Sequence, residues 1–122
     1  EATHPTIALH QSNLAAIYLE LNQYEKAKEL LETSLLSNLQ NYGINHQIVA
    51  MNQYNLANVY FSLGCQAAKN ENLALAIDYF ENCLNLKYLA FQICQANLGN
   101  NHPQTLKFKE NLDYIKKMMG LE

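Results

Sequence analysis

Residues 46–60 read HQIVAMNQYNLANVY, and the same arrangement returns at 4–18 as HPTIALHQSNLAAIY and at 102–116 as HPQTLKFKENLDYIK. In each copy a His stands nine residues before an Asn-Leu pair. Apolar and aromatic residues recur around that pair at three- and four-residue steps, which places them on one face of a helix. A motif that returns with its internal spacing intact is an internal repeat, so the chain reads as a tandem helical array. His46 lies 42 residues after His4 and His102 lies 56 after His46, which makes the second unit longer by 14.

The downstream halves show where those residues went. YEKAKELL at 24–31 aligns with LALAIDYF at 73–80. Asn13 precedes Ala27 by 14 residues and Asn55 precedes Ala76 by 21, while Ala27 precedes His46 by 19 and Ala76 precedes His102 by 26. Each half has gained seven, close to two helical turns, so both helices of a hairpin can lengthen together without rotating their apolar faces. Five helices are expected, at approximately 5–21, 24–42, 47–69, 73–98 and 103–119. Pro5 and Pro103 suit a first helical turn, and Gly43 and Gly99 suit C-terminal caps. Gly64 admits either a loop or a continued helix; Ala67, Ala68 and Lys69 favour prolonging the third helix through it.

Composition narrows the function. The 122 residues suit one domain, 1–122, and no apolar run approaches the ~20 residues of a membrane span. The net charge is -3 and every basic residue is Lys, so the side chain best fitted to bidentate phosphate and base-edge contacts is missing and nucleic acid is an unexpected partner. Asn and Gln together outnumber the charged residues, which favours recognition by hydrogen bonds over long-range fields. Cys65, Cys83 and Cys94 form an odd set without a C-x-x-C pair, as expected of reduced thiols in an intracellular, cytoplasmic setting. No leader is read at the start, and Glu1-Ala2-Thr3 reads as the edge of a piece of something longer.

The pattern resembles tetratricopeptide repeats, and the 42-residue unit with His-Pro ahead of Asn-Leu-Ala is similar to the longer variety found in kinesin light chains. The generic repeat is about 34 residues, so the longer variety fits better. The family's packing positions fall on Leu14, Ala15, Tyr18, Ala27 and Leu31, and again on Leu56, Ala57, Tyr60, Ala76 and Phe80. A third unit keeps Leu112 but has Asp113 and Lys116 where Ala and an aromatic belong, and reads as a cap. The resemblance implies an all-α, right-handed α-α superhelix of about two and a half repeats: repeat 1 at about 4–43, an elongated repeat 2 at about 46–99, and a capping helix at about 102–119.

It also implies a site. In this family the first helix of each pair lines a concave groove, and the Asn before the Leu bonds the backbone of an extended peptide. That points to Asn13, Asn55 and Asn111, whose amides offer both donor and acceptor. Helical steps around them add Met51, Tyr54, Asn58, Lys107 and Tyr114 as partner-binding candidates, with Leu9, Ala16, Glu20, Ser62 and Glu110 nearby. The carboxylate clamp of chaperone-binding relatives is a poor match, because Ser12, Ala16 and Met51 fall where polar or basic contacts are wanted. His4, His46 and His102 occupy the same corner of different units and are too dispersed to share a metal. Cys83 and Cys94 stand three turns apart on one helix and read as buried structural thiols. No catalytic motif occurs, and Glu25, Glu29 and Glu32 with Lys28 read as a solvent face. The expectation is a cofactor-free, non-enzymatic module that binds an extended peptide or helix of a partner protein in its groove, the alternative being a stacking or self-association module of a longer repeat protein, with open repeat ends as a route to homo-oligomers.

Overall fold

A computed structural model describes residues 4–121. They form five helices: α1 (Pro5–Glu20), α2 (Tyr24–Tyr42), α3 (Gln47–Lys69), α4 (Leu73–Leu98) and α5 (Pro103–Met118). Helices α1 and α2 make one hairpin, α3 and α4 a longer one, and α5 packs against α4. The expected boundaries hold, apart from one residue at the ends of α1 and α5.

The recurring His has a structural task that its position alone did not disclose. His4, His46 and His102 are all extended, with ψ of 133°, 144° and 138°, and each caps the helix that follows. In every case Nδ1 accepts the backbone N–H two residues on, at 3.0–3.1 Å. A helix start leaves four N–H groups without partners inside the helix, and the imidazole satisfies one of them. Downstream, α2 and α4 stop at Gly43 and Gly99, whose φ of 84° and 88° lie where a side chain is disfavoured.

Helix α3 runs unbroken through Gly64, which is buried. A Cβ there would sit 2.6 Å from Cε1 of Phe80, so the glycine lets the Phe80 ring of α4 rest against bare α3 backbone. The core is continuous through the stack. Ala15, Ala27, Leu31, Leu56, Val59 and Leu63 join the two hairpins, and Val49, Ala50, Ala90, Ile93, Cys94 and Phe108 join the second hairpin to α5. Small residues at Ala15, Ala27, Ala57 and Ala76 bring helix axes close, and Tyr18, Tyr60 and Phe80 fill the intervals.

Two expectations need correction. Leu14, a packing position of the repeat, is 42 % exposed, because among the described residues no helix lies on its side of α1; Ile7, Ile17 and Leu21 share that uncovered face. Glu32 is not plain solvent face: it is half-buried and accepts a 2.9 Å hydrogen bond from the Tyr60 hydroxyl, while Glu25 accepts one from Tyr79 at 3.4 Å. These carboxylates tie α2 to the second hairpin. Cys83 and Cys94 are buried as expected, and Cys65 is exposed. Among the described residues no helix is long and apolar enough to cross a membrane.

Candidate functional site

The first helices of the three units divide the candidate residues between two places. The first is a groove between α1 and α3, a cavity of about 440 Å³ whose walls include Leu9, Asn13, Ile48, Met51 and Asn55. Asn13 is exposed and Asn55 half-buried, so both amides reach the opening. Met51 stands beside them, and its sulfur accepts a 3.6 Å contact from the Gln104 amide of α5. Ile48 and Leu9 add apolar area to the two amides, the mixture a peptide needs if its side chains and its backbone are both to be satisfied.

Beneath that groove lies a polar network that sequence reasoning missed. Asn52 of α3 donates to Ser34 of α2 at 3.1 Å and to Ser12 of α1 at 3.3 Å, and its own oxygen accepts from Asn38 of α2. Ser34 donates to the Ala8 carbonyl at 3.0 Å, so in the 2.9 Å Ser12–Ser34 contact the proton belongs to Ser12. Three helices are thereby fixed in register under the groove floor. A buried network whose members are paired rigidifies what it joins. The one signal in the sequence was the run of small polar residues Ser34, Ser37 and Asn38 on an otherwise apolar helix face.

The second place lies between α3 and α5, where Tyr54, Asn58 and Lys107 gather above Lys87 of α4. Lys87 is 1 % exposed, its ammonium 3.6 Å from the Tyr54 ring centroid and bonded to the Asn58 side-chain oxygen. Phe108 stacks on Tyr54 with centroids 4.2 Å apart and planes 3° from parallel. A ring so covered on one face must take the cation on the other, so Tyr54 is held between Phe108 and Lys87. The Lys107 ammonium is 5.6 Å from the same centroid. Burial draws the Lys87 ammonium down to about 8 and pushes the Tyr54 phenol up. Asn111 is half-buried on α5, with a side-chain oxygen that is buried and has no partner. Tyr114, further along α5, is exposed.

Asn13, Met51 and Asn55 therefore share one groove, while Tyr54, Asn58 and Lys107 share a second cluster organised by a residue from an outer helix. Spacing along α3 and α5 found the surface members of that cluster. Lys87 escaped because it interrupts the apolar run LNLKYLAF at 84–91, where a lone Lys reads as a solvent-facing break. A further cavity, about 620 Å³, opens at the C-terminal end of the stack between Phe61, Phe80, Leu84, Ile115 and Met118.

Comparison with known proteins agrees with this architecture. Models described as tetratricopeptide repeat match residues 6–69 and 57–88. The chain is 27 % identical over 112 residues to a Clustered mitochondria protein homolog of Aedes aegypti, and 25 % identical over 112 residues to one of Xenopus tropicalis. Each alignment covers 92 % of this chain but only 7 % and 8 % of the respective relative, so the chain spans less than a tenth of their length. With more than half of its residues matched and five helices arranged as stacked hairpins, the chain belongs to the tetratricopeptide repeat family, whose helical repeats mediate protein–protein interactions.

Proposed function

We propose that the concave side of this module grips an extended peptide of a partner protein. The observation that carries the reading is the groove between α1 and α3, where Asn13 and Asn55, equivalent positions of successive repeats, flank Leu9 and Met51. An amide that reaches solvent can pair with a peptide group in either direction, so a pair of them gives sequence-independent hold. Apolar neighbours then discriminate among side chains. Residues 1–122 act as one domain in this reading, with the 42-residue first unit supporting the kinesin-light-chain-like variety and the reduced thiols supporting a cytoplasmic setting. Tyr114 and Asn111 extend the binding face along α5.

The test is selection of peptides from a displayed random library, followed by affinity measurement on the synthetic sequences. Asn13→Ala combined with Asn55→Ala is expected to weaken the selected peptides at least tenfold with the melting temperature unchanged. Enrichment of no sequence, or full affinity in the double variant, overturns the groove.

A second reading is favoured by the uncovered apolar faces at both ends of the array. Ile7, Leu14, Ile17 and Leu21 of α1 at one end, and the Phe61–Met118 cavity at the other, are surfaces on which repeats stack. In that reading the module joins other copies or adjoining repeats.

A further inference from the structure

We infer that the groove between α1 and α3 selects a peptide side chain that donates a hydrogen bond without carrying charge, the amide of Gln or Asn above all, and that the accepting atom is Oδ1 of Asn38 on the groove floor. This rests on the groove being the seat of a peptide and names one side chain which that peptide supplies. Asn38 belongs to α2, the helix behind the groove, yet it lines the cavity while being only 5 % exposed. The orientation of its amide follows from the network it closes. The Ala8 carbonyl can only accept, so it takes the single Ser34 hydroxyl proton, and Ser34 must then accept from both Ser12 and Asn52. Asn52 therefore points Nδ2 at the serines and Oδ1 at Asn38, and Asn38 must answer with its own Nδ2. An amide whose two ends are interchangeable in most surroundings is thus set in one sense.

What Asn38 has left to offer is an acceptor. Its Oδ1 has no partner among the described residues and is not closed off from solvent. With the rest of the side chain held in the network, the opening that leads to this oxygen is the cavity that Asn38 lines. A ligand donor is needed there, and charge decides which. None of the described residues lining the cavity is charged, so an ammonium entering it gives up hydration with no carboxylate to replace it. A carboxylate sets oxygen against oxygen. A thioether or an aliphatic chain leaves Oδ1 unpaired beneath it, at the cost of a desolvated acceptor. A neutral amide supplies the N–H that Oδ1 lacks, and its own oxygen can accept from Asn13 or Asn55, which line the same cavity.

The test is a ¹⁵N–¹H NMR titration of the chain at neutral pH with acetyl-Leu-Ala-Xaa-Ala-Leu-amide, in which Xaa is Gln, Met, Lys or Glu, side chains of similar length. The Gln peptide is expected to bind about fivefold tighter than each of the others and to shift the Asn38 side-chain NH₂ signals. Asn38→Leu keeps the shape and removes the oxygen. It should bring the Gln peptide down to the affinity of the Met peptide and leave the Met peptide unchanged, whereas a loosened fold weakens both. The four affinities for the native chain decide the matter even where that variant does not fold. Equal affinity of the Gln and Met peptides, with the Asn13 and Asn55 signals shifted by both, overturns the subsite and keeps the groove. A preference for Lys or Glu, or a Gln preference that survives Asn38→Leu, overturns the subsite as well. Peptides that leave the Asn13 and Asn55 signals unmoved remove the groove, and the subsite with it.

Discussion

A lysine ammonium taken out of water loses hydration that one amide oxygen and one aromatic face replace only in part. At Lys87 this loss, with a lesser push from Lys107, draws the group from 10.5 to about 8; the nearby Cys83 acts in the opposite direction. Because the folded value lies below the unfolded one, the unfolded chain binds more protons between about pH 8 and 10.5, and the Lys87 contribution to stability rises with pH across that window. Below pH 8 both states are charged and the penalty is fully present. Cys83, pushed up by burial to about 11, and the phenols of Tyr54, Tyr60 and Tyr79, also pushed up, work the other way, since their unfolded counterparts ionise first as pH rises. Comparison with Lys87→Met separates these effects, because the thiol and the phenols are common to both proteins. The variant is expected to be more stable by about 2 kcal/mol at pH 7, with the gap closing toward pH 10. Denaturant unfolding at successive pH values measures it, and a gap that stays constant with pH would mean that Lys87 does not keep its charge buried. Nothing in residue spacing forecast this: the periodicity of α3 made Tyr54 and Asn58 legible as neighbours on one side of that helix, but the cation that meets both comes from a helix 29 residues beyond Asn58.

The lengthened hairpin depends on how closely α3 and α4 approach. Replacing Gly64 by Ala improves helix propensity by about 1 kcal/mol, yet its methyl group would stand 2.6 Å from the Phe80 ring. Phe80 also touches Phe61 at a centroid distance of 5.6 Å, so it cannot swing aside without disturbing that pair. Overpacking of this kind costs about 1–3 kcal/mol, and the net expectation for Gly64→Ala is destabilisation by about 1 kcal/mol, with Gly64→Val worse. Thermal melting decides, and a melting temperature raised by Gly64→Ala would show that propensity wins. Helix starts offer a parallel case. His46→Ala removes the acceptor for the Ile48 N–H and is expected to cost about 1 kcal/mol, whereas His46→Asn, another good cap, should retain most of it. The paired seven-residue insertions were readable because they preserve helical phase, and the continuity of α3 followed from its C-terminal Ala-Ala-Lys. The capping role of the His was hidden behind a family signature, since a motif can be recognised without its backbone geometry. The Ser12–Ser34–Asn52 network was unreadable for a different reason: its members lie on three helices, and only packing brings them together.

Across the whole molecule, the two ends of the stack are apolar. The α1 face bears Ile7, Leu14, Ile17 and Leu21, all 42–59 % exposed, and the opposite end opens into the cavity between Phe61, Phe80 and Met118. Leu14 occupies a packing position of the repeat, yet on α1 it stands exposed beside Ile17 and Leu21. Head-to-tail stacking would cover both apolar surfaces in one contact. Because such a contact joins different faces, its product is an open row and not a closed dimer, so association should continue to grow with concentration. Sedimentation velocity across the micromolar range should show a steadily rising mean coefficient. Leu14→Gln with Ile17→Gln should hold the protein monomeric at an unchanged melting temperature, since neither side chain contributes to the closed core. A native chain that stays monomeric over the whole range removes the stacking reading and leaves the groove between α1 and α3 to account for the family's interaction role.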